Sequence, residues 1–173
     1  MHSLYQQATG SMGPEHVNHF EREGVLPIAF SLFHAVNIED AAIFLINGAP
    51  PVWDAGWQER VAMAVDDHGK HRTVADMGHQ RIGDYAAFMD YQRAVFDRTE
   101  EYLLALDPGD LARIVAARPL PPHLADTFSA RVAGPAGITV LDALECWIYQ
   151  HGLRHMGEIE LARGLVGLGG LTF

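Results

Sequence analysis

Three long stretches of this chain repeat apolar residues at every third or fourth position, and none alternates apolar and polar residues between hairpin turns; that combination predicts an all-α fold. The first stretch, from Val25 to about Asn47, carries Phe30, His34, Ile38, Ala41 and Leu45 at helical spacing. Asn47-Gly48 reads as its stop, and Pro50-Pro51 forbids continuation. The second, from Asp84 to Leu106, sets Tyr85, Phe88, Met89, Gln92, Phe96, Leu103 and Leu106 on one side. The third opens at Thr139, with Asp142 three residues on as the acidic partner of a capping box. It runs to about Gly164 and aligns Leu144, Ile148, His151, His155, Ile159 and Ala162. Helices of about 22–25 residues are about 33–37 Å long, which suits a four-helix bundle.

Shorter pieces fill the rest. The first dozen residues are polar, contain Gly and are expected to be loosely held. Pro14 can open a short helix over Glu15 to Glu23, ending at Gly24. Trp53, Trp57, Val61 and Val65 form a brief amphipathic segment, and 66–70 reads as a turn. Asp107-Pro108 caps a short helix to about Ala117. Pro119, Pro121 and Pro122 enforce a loop, and 134–137 forms another. The expectation is a four-helix bundle with a short or irregular first helix, residues 1–173 forming one domain. Its core should include Phe30, Ile38, Leu45, Phe88, Phe96, Leu103, Leu144, Ile148 and Ile159.

Charge narrows the function classes. The formal net charge is −10, and an acidic surface repels phosphates, so neither nucleic acid nor an anionic membrane is an expected partner. No run of about 18 uncharged apolar residues occurs, so no membrane span is expected. The start, MHSLYQQATGSMG, lacks the basic residues and apolar run of a secretory signal. Cys146 is the only cysteine, which rules out an internal disulfide and fits a reducing cytoplasm. No Walker loop, GxGxxG or GxSxG is present, so nucleotide binding and serine-hydrolase chemistry have no support.

The chemistry-bearing feature is His151-Gly-Leu-Arg-His155. Two histidines four residues apart share one helix face. His34 sits between Phe30 and Ile38 on another apolar stripe. A buried imidazole needs a partner. Each ring can find one in a carbonyl or carboxylate, or all three can share a metal ion. Three histidine nitrogens with an open position form the catalytic arrangement for zinc, and also suit nickel or iron. Gly152 stands where the zinc-protease motif has Glu, so that motif is absent. The remaining histidines, His16, His19, His68, His71 and His79, read as solvated, and His123 has no assigned role.

Neighbouring polar residues have two readings each. Glu158, one turn beyond His155, either accepts an imidazole N–H or acts as a base, or else pairs on the surface with Arg154 or Arg163. Asn37 either supports His34 or bonds another helix. Gln92 either reaches toward the site or is packed with a single polar bond. Cys146 is five residues before His151, about 140° around an α-helix, and reads as packing.

The segments LPIAFSLFHAVNIEDA, PVWDAGW and HGLRHMGEIELARGLVGLGG, in that order, resemble the DinB-like (DinB/YfiT) superfamily of four-helix-bundle metalloproteins. The resemblance implies metal ligands at His34, His151 and His155. It implies a divalent metal cofactor, zinc, nickel or iron. Members include thiol-dependent transferases and isomerases that use thiols such as mycothiol or bacillithiol, and a related bundle occurs in ergothioneine-pathway sulfoxide synthases. The implied partners are a small-molecule thiol and an electrophile, with a homodimer as the assembly. The chain departs from the family in its first helix, which holds Gly10, Gly13 and Pro14. Three readings follow: a metal-dependent thiol S-transferase or isomerase, a non-catalytic metal-binding or stress-response bundle, and a structural bundle whose histidines bind nothing.

Overall fold

The computed structural model describes residues 1–171. In chain order the elements are α1 (His2–Gly10), α2 (Pro14–Val17), α3 (Ile28–Asn47), α4 (Ala55–Val61), α5 (Val74–Met77) and α6 (Tyr85–Ala105). After a 3-10 turn at Pro108–Ala112 come β1 (Ile114–Ala117), α7 (Pro122–Ala125), α8 (Phe128–Val132) and β2 (Gly137–Thr139). The last helix is continuous but changes pitch: α9 (Val140–Ala143), a π-helical segment (Leu144–Tyr149), then α10 (Gln150–Leu165).

The fold is an all-α bundle of α1, α3, α6 and the last helix. Several ends form for the reasons visible in the sequence. Asp84 accepts from the Ala87 amide and starts α6. Thr139 and Asp142 make the reciprocal capping box of α9. Gly48, at φ 77°, takes the left-handed position that ends α3.

The first helix is short, as expected, but it is not loosely held. Tyr5 and Ala8 are buried in the main apolar cluster with Phe33, Phe88, Tyr91 and Ile159. Tyr5 Oη donates to the Gly152 carbonyl at 2.8 Å, and Tyr85 Oη to the Thr9 carbonyl at 2.9 Å. The Met1 side chain lies directly over Gly152, so a Cβ there would push it aside. The Pro14 helix stops at Val17, short of the expected Glu23.

A two-stranded antiparallel sheet was not expected. β1 pairs with β2, Ala116 opposite Ile138 and Ala117 opposite Gly137, where a helix to Ala117 was read. Strands of four and three residues are too short to show alternation. Ile138 and Leu124 cover a second apolar cluster with Ile43, Ile46, Val140 and Ile148.

The core differs from the expected list on one side. Phe30, Phe88, Phe96, Ile148 and Ile159 are buried, whereas Leu45 is 48% and Leu103 45% exposed, and Ile38 and Leu144 are half-buried. α3 is apolar nearly all round, so two stripes compete for the core. Leu32, Val36, Ile43 and Ile46 face inward. The stripe His34, Ile38, Ala41 and Leu45 lines a cavity instead. α3 is long and apolar enough to cross a membrane, yet 67% of its apolar window is buried inside the protein. It also holds Asp40, whose carboxylate accepts from the Val52 and Trp53 amides at 2.8 Å and anchors the segment after the helix.

Candidate metal centre

α3 and α10 pack side by side and bring His34, His151 and His155 together. His34 Nε2 lies 3.2 Å from His151 Nε2, and His155 Nε2 lies 3.2 Å from the same atom. One ligand atom from each residue falls within 4.8 Å of the others. Tetrahedral zinc, with nitrogens at about 2.0–2.1 Å, holds them about 3.3–3.4 Å apart, close to the two spacings around His151.

The outer ring nitrogens set the tautomers. His34 Nδ1–H donates to the His68 carbonyl. His155 Nδ1–H donates to Glu158 Oε2 at 2.7 Å. A carbonyl and a carboxylate can only accept, so Nδ1 is the protonated nitrogen of both rings, and in the neutral, metal-binding form Nε2 carries a lone pair directed inward. His151 Nε2 can donate one proton, and it faces two acceptors. A cation at the centre satisfies all three nitrogens; a single shared proton does not. Burial lowers the pKa of His34 to about 4, with His155 and His68 adding to the effect. Burial, His155 and His34 lower that of His151 to about 2. Both rings are therefore neutral near pH 7, the form that binds metal. The three residues could hold a metal ion.

Glu158 is fixed on both sides: it accepts from His155 and from Ser31 Oγ at 3.1 Å. The hydrogen bond from His155 is the largest cause of its lowered pKa. The alternative pairing with Arg154 or Arg163 does not form; Arg163 contacts Glu160 instead. Asn37 bonds Tyr91 Oη at 3.3 Å, linking α3 to α6. Gln92 donates to Thr9 Oγ1 on α1 and packs in the core, away from the histidines.

The histidine cluster opens on a cavity of about 560 Å³, and His34 and His151 form part of its wall. Cys146 lines the same cavity. In an α-helix it would point elsewhere, but i→i+5 bonding in the π segment brings residues five apart onto nearly the same face. Burial raises its thiol pKa, so it is not an activated nucleophile. His68, His71 and His123 also line the cavity. His71 is exposed, as read, but His68 is half-buried, and neither it nor His123 on α7 could be placed at the cavity from sequence, because their segments join α3 and α10 only in three dimensions. His16, by contrast, accepts from the Gly13 amide, and His19 and His79 are exposed.

No curated protein matches the chain. A solved structure titled "Crystal structure of the conserved protein of locus from Enterococcus faecalis" superposes with a TM-score of 0.74 and 18% identity. The match covers 95% of this chain and 89% of that one, and it concerns the fold. The family described as the DinB superfamily matches residues 1–159, which include all three histidines. The chain belongs to the DinB superfamily.

Proposed function

We propose that this protein is a divalent-metal-dependent enzyme of thiol chemistry, an S-transferase or isomerase that uses a low-molecular-weight thiol. The observation that carries the reading is the convergence of the Nε2 atoms of His34, His151 and His155, with the outer nitrogens of His34 and His155 occupied by the His68 carbonyl and Glu158. A zinc, nickel or iron ion held by these residues would supply Lewis acidity that favours the thiolate form of a bound thiol. The protein's own part is orientation. Ser31 and Glu158 hold the His155 ring, and the His68 main chain holds His34. The cavity beside them is the right size for a small molecule, and Ile38, Leu45, Phe128 and Trp147 make much of its wall apolar.

The test is elemental analysis of protein purified without a histidine tag, followed by a thiol panel with an electrophilic acceptor. The expected result is about one metal ion per chain and thiol consumption that stops with chelator. Metal without turnover would leave a non-catalytic metal-binding bundle. No metal, with stability unmoved by chelator, would leave a structural bundle.

A further inference from the structure

We propose that the cavity takes a small organic anion, a carboxylate or phosphate carried on an apolar body, as the substrate of the site read above. The chain has 22 Asp and Glu against 12 Lys and Arg. Yet among the described residues no carboxylate lines the cavity, and Lys70, Arg131 and Arg154 do. They come from three separate elements: the loop before α5, α8 and α10.

Other cations in the protein are occupied. Arg72 pairs with Asp67, Arg93 with Asp90, Arg98 with Asp40 and Arg163 with Glu160. Arg113 and Arg118 bond main-chain carbonyls. Among the described residues Lys70, Arg131 and Arg154 form no ion pair with a carboxylate. Lys70 Nζ instead donates to the His123 carbonyl at 3.3 Å, which ties it to the cavity rim. Three unpaired cations gathered round one concavity give it a potential opposite to the net charge of the chain. Guanidinium groups match carboxylate and phosphate oxygens in pairs. Apolar surface from Ile38, Leu45, Phe128 and Trp147 faces the same space. One molecule with an anionic end and an apolar body meets both demands.

The experiment is isothermal titration calorimetry of the full chain at pH 7.5 and low salt, with chelator and again with zinc. The titrants are phenylsuccinate, phenyl phosphate and the uncharged phenylsuccinamide. At least one anion should bind about tenfold more tightly than the diamide, and less tightly as salt is raised. Lys70→Gln, Arg131→Gln and Arg154→Gln together should abolish the preference, while Arg93→Gln leaves it intact. All three positions are exposed, and Arg154→Gln alone, checked by its melting curve, should already halve the preference or more. Equal binding of the diamide, no binding of either anion, or a preference that survives the triple replacement overturns the proposal. Because the chelator arm needs no metal, it separates the two readings: a chain that takes no zinc but prefers the anion sinks only the metal-enzyme reading.

Discussion

His2 and His151 belong to the same bundle, yet their rings meet opposite surroundings. His2 stacks on Phe96 with centroids 4.0 Å apart, and its two nitrogens reach Glu39 at 2.9 Å and Glu100 at 2.8 Å. Two carboxylate acceptors require two N–H donors, so the ring is an imidazolium. Burial works against that charge, but Glu39 and Glu100 outweigh it and raise the pKa. His151 faces two other imidazoles and no carboxylate, and burial holds it neutral. The same side chain is a fixed cation in one place and a lone-pair donor in the other. The partners decide which: two carboxylates hold the charge on His2 against burial, and where carboxylates are lacking, at His151, burial favours the neutral ring.

The sharpest way to break this contrast is His151→Ala. Structural zinc sites bind with about 10–16 kcal/mol, so one ligand of four stands for about 2.5–4 kcal/mol. Zinc affinity should fall roughly a hundredfold to a thousandfold by competition with a chelating dye, with the helical spectrum unchanged. Unchanged affinity would remove His151 from the site.

His2→Ala should do the reverse. It leaves Glu39, 3% exposed, without its imidazolium. Urea unfolding should show a loss of about 2–3 kcal/mol, with zinc affinity unaltered.

Glu158→Ala frees the His155 ring and should lower zinc affinity about 10–100-fold, without the full loss caused by removing a ligand. Stopped-flow chelator extraction would report it as faster metal release.

The two sites should also give opposite slopes against pH in metal-free protein. His34 and His151 have native pKa values below the unfolded 6.5, so the unfolded chain binds more protons there. Stability from them is present above about pH 6.5 and is lost as pH falls, through about 4 for His34. His2 has a raised native pKa, so its contribution is present below 6.5 and is lost as pH rises through the native value. Melting curves of His34→Ala should flatten the acid limb, and those of His2→Ala the alkaline one.

The smallest effect is expected on the cavity wall. Leu45→Ala should cost under about 1 kcal/mol, because the side chain is half exposed, whereas buried Ile43→Ala should cost about 2–5 kcal/mol.

Much of the bundle could be read directly. Asp84, Gly48 and the Thr139–Asp142 pair act through bonds to residues three or four away, so local sequence contains both partners. The meeting of His151 and His155 was legible for the same reason. The addition of His34 was legible as a reading, from its stripe and from the resemblance. The inward stripe of α3 was not, since an almost wholly apolar helix has no preferred face of its own. Nor was the burial of α1, whose Tyr5 and Thr9 find partners more than seventy residues away.

What the sequence determined by itself is therefore local: where helices begin and end, and which side chains lie one turn apart. The tertiary structure alone decided which α3 stripe became core, how the π segment turned Cys146 toward the cavity, and that Lys70, Arg131 and Arg154 share one space. The reason is range. Helix periodicity and capping act within a turn or two, but charge state, burial and cavity shape depend on what distant segments bring to the same place.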